Sequence, residues 1–274
     1  MKKDLICFLH IEKAAGTTFH HILSNNFNNY LTISPAYYWS NENENYLTSL
    51  ELKWLLKLTL ATDAIGGHPL RAEPKYELTL KRPVKFIIFL RDPVSRYISH
   101  FKHQKFAKGI DWSIQSFITE DRFNDYMTRR LSPSNNLDEA KATLDRIAFI
   151  GLMDQFDESL ILLKKQIQSV KFKPFYEKQN IGESIELDFL DNPEILKCIV
   201  NNNKNDIALY KYAQSLFKEN IKKYGNNFEI ELNLFRRQNI GYSFSRIRSI
   251  RSRLYRLLYY KPLQYIIKIL LHKP

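Results

Sequence analysis

The sequence contains little cysteine, and it has no acidic residue near its C-terminal end. Only Cys7 and Cys198 occur among the 274 residues, so neither a disulfide framework nor a cysteine zinc site is expected. The last acidic residue is Glu231, and ten Lys and Arg residues follow it. Residues 1–231 therefore carry only +2 of the total net charge of +12. A nearly neutral body argues against a general nucleic-acid-binding protein.

Long apolar runs are also lacking at the N-terminus. The run that starts at Leu5 is interrupted by His10, Glu12 and Lys13, whereas a membrane span takes about 20 apolar residues. No small-residue cleavage site of a signal peptide follows it. A hydrophobic content of 44% excludes a disordered chain. Since the first predicted strand begins by about residue 5, we expect a bacterial cytosolic enzyme, in the cytoplasm or peripheral on the inner face of the membrane.

Buried strands and helices alternate along the chain. Continuous apolar runs predict strands at residues 5–11, 84–90 and 147–152, with a short strand at 64–65 and a Gly66-Gly67 turn. Apolar periodicity predicts helices at residues 19–23, 49–60, 94–106, 137–146, 155–170 and 205–224. Asn136 or Asn135 is expected to cap the helix at 137–146. Residues 24–46 are predicted to be an irregular connection. This order predicts an α/β fold with a parallel sheet in a domain of residues 1–235, followed by a basic amphipathic tail of residues 236–274.

The first motif is HIEKAAGTT, residues 10–18, between the first predicted strand and the first predicted helix. Backbone N–H groups and the dipole at a helix N-terminus favour an anion. Gly16 permits a close backbone approach, Lys13 supplies a mobile cation, and Thr17 and Thr18 supply hydroxyl groups, either of them a good helix cap. The motif differs from the nucleotide-binding pattern G-x-x-x-x-G-K-[ST], because its Lys precedes its Gly. An ordinary strand–turn–helix junction is the alternative.

The second motif is RDPVSRYIS, residues 91–99. Arg91 follows the clearest strand, where α/β sheets place ligand-binding groups. With Ser99 on the following helix it would form a second anion site, since a guanidinium group suits bidentate phosphate contact. Arg96 is interpreted as structural, in a local ion pair with Asp92 on a surface helix.

Together the two motifs resemble those of the carbohydrate sulfotransferases that use 3′-phosphoadenosine 5′-phosphosulfate (PAPS), specifically the group similar to uronosyl and heparan sulfate 2-O-sulfotransferases. In that family H-I-P-K-T-A-G-T-T binds the 5′-phosphosulfate and R-D-P-x-x-R-x-x-S binds the 3′-phosphate. The resemblance implies a P-loop-like sulfotransferase fold and sulfuryl transfer to a glycan hydroxyl without a metal. It implies 5′-phosphosulfate contacts from Lys13, Ala14, Ala15, Gly16, Thr17 and Thr18, and 3′-phosphate contacts from Arg91 and Ser99.

Sulfuryl transfer needs a base for the acceptor hydroxyl and a cation for the leaving phosphate. His68, in the segment IGGHPL, resembles the family's Gly-His loop whose His is the base, and Lys13 would stabilise the leaving phosphate. His10 is the second candidate for the base. Glu12 stands where the family has Pro, and it is a weaker candidate for a second base. The remaining histidines are not assigned to catalysis: one of His20 and His21 is expected to face the core, and His100 and His103 are expected to be solvated.

Three weaker features extend the resemblance to about residue 224. FIGL, residues 149–152, with Asp154 resembles a strand of the type VGL-x-E that precedes a helix. Asn180 follows a basic stretch, as a related Asn does in several members. DIALY, residues 206–210, resembles a D-x-x-L-Y helix near the end of the domain.

The acceptor is not identified by the sequence. We expect loops at residues 24–45 and 107–136 to shape its site, and the cations that could meet an acidic sugar are Arg129, Arg130, Lys102 and Lys105. Two other functions are carried as alternatives: a nucleotide-dependent small-molecule kinase of P-loop topology, and a non-catalytic membrane-surface protein that retains the fold.

The tail combines cations with apolar residues. Residues 240–274 contain eight Lys and Arg, no acid and six aromatic residues. Apolar residues from Ile247 to Leu258 recur at helical spacing, Pro262 is expected to interrupt the helix, and the apolar segment at 263–271 is too short to span a bilayer. Such a helix is typical of an anchor on an anionic membrane surface. Packing against the body, or against a partner, is the alternative.

Overall fold

The sheet consists of five parallel strands. The computed structural model describes residues 4–33, 46–59, 62–72, 75–167, 172–177, 187–244 and 254–271. The strands lie in the order β2-β3-β1-β4-β5 and every neighbouring pair is parallel. Their bounds are β1 Leu5–Leu9, β2 Tyr30–Ile33, β3 Ala64–Gly67, β4 Val84–Leu90 and β5 Phe149–Leu152. The predicted α/β class with a parallel sheet is confirmed.

The centre of the sheet brings three chain segments to one edge. All five residues of β1 are buried, because β1 lies between β3 and β4 and is covered on both faces. Leu9 pairs with Gly67 on one side and with Ile88 on the other. The residues that follow β1, β3 and β4 therefore leave the sheet side by side. These segments carry His10, His68 and Arg91.

The two glycines before His68 belong to β3 and do not form the predicted turn. A Cβ atom at Gly66 would overlap the hydroxyl group of Tyr30, and one at Gly67 would overlap the carbonyl oxygen of Ile33. Both contacts come from β2, which lies within the segment predicted to be irregular. The glycines are thus explained by the close approach of this edge strand.

Eleven helices flank the sheet up to residue 239 in the described part of the chain. Their bounds are α1 Gly16–Asn26, α2 Ser49–Leu58, α3 Tyr76–Leu80, α4 Pro93–Lys102, α5 Ile114–Ile118, α6 Tyr126–Leu131, α7 Leu137–Asp145, α8 Phe156–Gln166, α9 Pro193–Asn202, α10 Lys204–Tyr224 and α11 Phe228–Asn239. The predicted cap of α7 is confirmed, since the Asn136 side chain accepts hydrogen bonds from the N–H groups of Asp138 and Glu139. Helices α3, α5, α6, α9 and α11 were not predicted. The predicted helix at 94–106 ends as a helix at Lys102 and continues as a π-helical turn, His103–Ala107.

The C-terminal segment folds back onto α2. A π-helical turn at Arg256–Tyr260 leads into the tail helix, Lys261–Leu271, so Pro262 lies in its first turn and does not interrupt it. Tyr260 and Ile267 are buried, and the tail helix packs against α2. Nowhere in the described part of the chain is a helix long and apolar enough to cross a membrane. The boundary predicted after residue 235 falls within the continuous helix α11 and stays a prediction.

Candidate functional site

The loop after β1 is built from residues in unusual backbone conformations. Lys13 and Ala15 have positive φ angles of 67° and 59°. The side chains of Ile11, before Lys13, and of Ala14, between the two, are buried. Left-handed residues in such a turn direct backbone N–H groups into an anion-binding concavity. Ala15, and not a Thr, precedes the first turn of α1, and no side chain caps that helix. The helix N-terminus is therefore open to an external anion.

Gly16 was expected to permit a close approach of the backbone to an anion, but its neighbour in the structure is His10. A Cβ atom at this position would overlap the imidazole ring of His10. The absence of a side chain thus allows His10 to pack over the first residue of α1. Gly16 still lies in the predicted phosphate-binding loop, but it is the His10 ring that requires a glycine there.

Arg91 joins the second motif to the first. Its Nη1 donates a hydrogen bond to the carbonyl oxygen of Lys13 at 3.1 Å. Its Nε is buried and has no hydrogen-bond partner among the described residues. Burial lowers the pKa of Arg91, and the nearby carboxylates of Asp154 and Asp92 oppose that shift. Arg91 therefore fixes the loop while it keeps an unused donor for an anion.

Two of the weaker sequence features meet beside Arg91. The hydroxyl group of Tyr210 donates to Oδ2 of Asp154 at 2.6 Å, and the backbone N–H of Asp92 donates to the same oxygen at 3.1 Å. The turn that follows β4 is thereby tied to β5 and α10. Asp154 and Tyr210 thus hold the turn that carries Arg91.

His68 lies over the same loop. Its Nδ1 is 3.1 Å from the carbonyl oxygen of His10, and its ring stacks on the His10 ring with centroids 3.9 Å apart. A carbonyl only accepts, so Nδ1 carries the proton and the neutral ring has its lone pair at Nε2. Burial lowers the pKa of His68 below its usual value of 6.5, against the opposing charge of Glu12. His68 is therefore a neutral base near pH 7.

Two arginines hold the His68 loop through its backbone. Nη2 of Arg130 donates to the carbonyl oxygens of His68 and Leu70, and Nη1 of Arg71 donates to that of His68 at 3.3 Å. The structure gives Arg130 this positioning contact, and its predicted contact with an acidic sugar stays a prediction. Its neighbour Arg129 donates to the carbonyl oxygen of Asn124 at 3.1 Å.

The side of the loop that carries His10 is neutral. Nδ1 of His10 lies 3.0 Å from Nε2 of His20, and Nδ1 of His20 is hydrogen-bonded to the hydroxyl group of Tyr30. Burial, reinforced by the charges of His68, His20 and Lys13, lowers the pKa of His10 well below its usual value. One nitrogen of His10 is thus bonded and the other packs over α1. This geometry favours His68 over His10 as the base.

The side that carries Glu12 is charged. Oε2 of Glu12 lies 3.0 Å from Nε2 of His100, and Nη1 of Arg96 lies 3.4 Å from Nδ1 of the same ring. Arginine only donates, so His100 accepts at Nδ1 and donates to Glu12 at Nε2. Burial would raise the pKa of Glu12, but the His100 hydrogen bond and nearby cations lower it to about 2. Glu12 stays ionised and is turned toward His100, which argues against its use as a second base.

Two sequence-based expectations about α4 are wrong. His100 was expected to be solvated, yet its side chain is only 2% exposed. Arg96 is fully buried over the ring of Tyr126 and donates to the carbonyl oxygen of Phe123 at 3.2 Å. Asp92 does not pair with Arg96; it caps α4 by accepting from the N–H of Ser95 at 2.8 Å. The structural role of Arg96 agrees with its burial, but its partners lie on distant segments that sequence spacing does not show.

The remaining predicted site residues include Lys13, Ser99 and Asn180. Lys13 is half-buried, and burial together with the charge of Arg91 lowers its pKa. Ser99 is half-buried on α4, and within the described residues no hydrogen bond of its hydroxyl group connects it to Arg91, so its phosphate contact stays a prediction. Asn180 and residues 34–45 of one predicted acceptor loop lie outside the described residues.

Lys108 is a site cation that the sequence did not reveal. It is exposed after the π-helical turn that extends α4. Its charge lowers the pKa values of Glu12, Lys13 and His68, so it lies near these three residues. The sequence placed it only within the loop at 107–136 that was expected to shape the acceptor site.

Comparison with known proteins places this arrangement in a family. The model of the sulfotransferase family matches residues 1–213, which include both motifs and His68. Heparan-sulfate 6-O-sulfotransferase 2 of Mus musculus is 24% identical over 78% of this chain and 44% of its own length. Heparan-sulfate 6-O-sulfotransferase 1 of Cricetulus griseus is 28% identical over 79% of this chain and 68% of its own length. The match thus spans less than half of the first relative. The chain belongs to the sulfotransferase family.

Proposed function

We propose that this protein transfers the sulfuryl group of PAPS to a hydroxyl group of a carbohydrate. One observation carries the proposal: a single hydrogen-bonded arrangement joins two anion-binding elements and a neutral histidine. Arg91 donates to the backbone of Lys13, and His68 donates to the backbone of His10 on the same loop. Anion binding and proton abstraction are the two functions that sulfuryl transfer requires.

The residues present fit the two phosphate groups of PAPS. The open N-terminus of α1 and the left-handed residues before it suit the 5′-phosphosulfate. The buried, unpaired Nε of Arg91 suits the 3′-phosphate. The residues proposed to hold the 5′ group are Lys13, Ala14, Ala15, Gly16, Thr17 and Thr18, and those proposed for the 3′ group are Arg91 and Ser99.

The chemistry then divides between two side chains. Bound PAPS supplies the sulfuryl group and a phosphate leaving group. Nε2 of His68 takes the proton of the acceptor hydroxyl, while Nδ1 keeps its own proton on the His10 carbonyl. The ammonium group of Lys13 lies on the loop that holds the 5′ end, where it offsets the charge that develops on the leaving phosphate. Glu12, held by His100, favours the protonated form of His68 that results.

We propose an acidic glycan of the glycosaminoglycan class as the acceptor. The named relatives are heparan-sulfate 6-O-sulfotransferases, whereas the motifs alone suggested the 2-O group. Both hydroxyl positions therefore belong in the test. Lys108, which is exposed and lies near Glu12, Lys13 and His68, would meet an acidic sugar.

Calorimetric titration separates this proposal from the kinase alternative. We expect the protein to bind 3′-phosphoadenosine 5′-phosphate, the product form of the cofactor, without a metal and more tightly than ATP with Mg²⁺. Preference for ATP would overturn the proposal. Incubation with PAPS and a panel of glycans, followed by mass spectrometry, should then show a sulfated product; cofactor binding with no product from any glycan would favour a non-catalytic protein.

A further inference from the structure

An apolar surface lies on the exposed faces of α2 and the C-terminal segment. We infer that this surface docks on an anionic lipid interface. It is defined by the exposed side chains of Leu50, Trp54 and Leu58 on α2 and by the exposed apolar side chains of residues 254–271. The inference does not depend on the proposed reaction.

The α2 part of the surface is a stripe along one helix face. Leu50, Trp54 and Leu58 are four residues apart and are 49%, 41% and 40% exposed. The opposite face buries Leu52 and Leu55 in the core. An exposed apolar stripe opposite a buried one indicates that the helix has a second contact surface besides the core.

The C-terminal part of the surface also has one buried and one exposed apolar face. Tyr260 and Ile267 are 1% and 5% exposed, and they face the body where the tail helix contacts α2. The outer face is apolar: its exposed members are Leu254, Tyr255, Leu257, Leu258, Tyr259, Tyr265, Ile266, Ile269 and Leu270. Leu258 and Leu270 reach 76% and 67% exposure. Packing on the body therefore accounts for one face of this segment and leaves the other uncovered.

The two parts meet in a direct contact. The hydroxyl group of Tyr259 donates to the carbonyl oxygen of Leu58 at 2.8 Å. The last exposed residue of the α2 stripe is thus next to the first turn of the C-terminal segment. The result is one contiguous surface, larger than scattered exposed residues would produce.

The charges beside this surface identify its occupant. On α2, Lys53 and Lys57 are the cations, and Nζ of Lys57 lies 4.9 Å from the ring centre of Trp54. The one acid of that helix, Glu51, is buried and accepts hydrogen bonds from Thr48 in the helix cap. The described part of the tail, residues 254–271, contains Arg256, Lys261 and Lys268 and no acidic residue. Trp and Tyr with Lys and Arg around an apolar face are the composition of helices that lie in an anionic membrane interface.

A second copy of the chain suits this surface less well. In a symmetric dimer the same patch would face itself, which would bring two sets of cations together. The acid of α2 is the buried Glu51, and the described residues 254–271 contain none. A lipid headgroup layer offers the missing negative charge. The tail helix, with 11 residues, would lie in the interface because about 20 residues are needed to cross it.

Vesicle sedimentation of the full chain tests the inference. We expect binding to vesicles of phosphatidylcholine with phosphatidylserine, and binding at least tenfold weaker to phosphatidylcholine alone. Leu258→Asp with Leu270→Asp should reduce binding to the anionic vesicles at least tenfold, since both side chains are exposed and contribute little to the core. Ile230→Asp with Val200→Asp is the matched control, because these side chains are 60% and 41% exposed on α11 and α9, and it should bind within about twofold of the unmodified protein.

The cations are tested separately. Lys53→Gln with Lys57→Gln should weaken binding to anionic vesicles by about fivefold per residue, with an unchanged circular dichroism spectrum as the folding control. Equal binding to both vesicle types, or no binding to either, would overturn the inference. Light scattering that shows a dimer abolished by Leu258→Asp would assign the surface to self-association instead. None of these outcomes bears on turnover with a soluble glycan, so failure here leaves the proposed reaction standing.

Discussion

The loop after β1 is held on its two sides by different chemistry. On one side, His10 contacts His20 in a chain of neutral groups that ends at Tyr30. On the other, Glu12 is ionised and bonded to the buried His100, which Arg96 supports. The neutral side presents His68 as a free base. The charged side keeps a carboxylate close to His68 yet turned away from the anion-binding loop. The difference shows how one short segment serves both proton abstraction and anion binding.

The largest expected effect on the rate comes from replacing His68, which lies on the neutral side of the loop. His68→Ala should lower the rate of sulfuryl transfer by about 10²- to 10⁴-fold, the usual contribution of a general base. Its affinity for 3′-phosphoadenosine 5′-phosphate should stay within about twofold, because the ring bonds only to a backbone carbonyl. Single-turnover kinetics and calorimetry measure the two quantities. His21→Ala, on the outer part of α1, is the control and should keep its turnover.

Arg91 connects the loop after β1 to the second motif, and its replacement should lower the affinity for the cofactor. Arg91→Ala removes the hydrogen bond to Lys13 and the proposed 3′-phosphate contact, so affinity for 3′-phosphoadenosine 5′-phosphate should fall by about 10- to 100-fold. The loss should be smaller for 5′-phosphosulfate analogues that lack the 3′-phosphate. Equal losses for both ligands would assign Arg91 to the loop structure alone.

Glu12 on the charged side should affect the pH dependence more than the rate. Its charge raises the pKa of His68 against burial, so Glu12→Gln should move the acidic limb of the kcat/KM profile to lower pH. The stability that Glu12 contributes is present above its usual pKa of 4.5 and is lost as the pH falls through its folded pKa of about 2. A pH–rate profile of the variant that coincides with that of the unmodified protein would separate Glu12 from His68.

The buried histidines should make the protein sensitive to mild acid. Burial lowers the pKa values of His10, His68 and His100 below 6.5. Each is neutral in the folded protein and takes up a proton more readily when unfolded, so the free energy of unfolding should fall as the pH drops below about 6.5. Urea unfolding at about pH 7.5 and about pH 5.5 measures this decrease. His10→Asn should show a smaller decrease than the unmodified protein.

Tyr30 should show the smallest effect. Tyr30→Phe removes the hydroxyl group bonded to His20 and should cost about 1 kcal/mol of stability. The rate should change by only a few fold, since His68 keeps its bond to the backbone. A loss of rate as large as that of His68→Ala would show that the whole neutral chain, and not His68 alone, moves the proton.

Secondary structure and site position were predicted best where a residue pattern favours a single local structure. The run VKFIIFL became β4 over the predicted residues 84–90, because a short, continuous β-branched and aromatic segment bounded by prolines favours a buried strand. Both motifs follow strands that end at the same edge of the sheet, as the parallel order requires. The predicted residues Lys13, Arg91 and His68 are thus close together.

Contacts between distant segments escaped prediction. His100 was expected to be solvated because it lies on the helix after RDP, yet its ring fills the space between Glu12 and Arg96. Strand β2 was hidden in a polar segment because it is short and lies at the sheet edge. Gly66 and Gly67 suggested a turn, but the glycines accommodate β2. In each case the deciding neighbour lies far away in sequence, where periodicity carries no information.

The central claim is that His68 takes the acceptor proton beside a loop that holds PAPS. It is tested most directly by measuring sulfated glycan with mass spectrometry after incubation with PAPS, for the unmodified protein and for His68→Ala at equal cofactor occupancy. The account predicts product from the unmodified protein and almost none from the variant. Product at equal rates from both, with the cofactor bound equally by both, would contradict it.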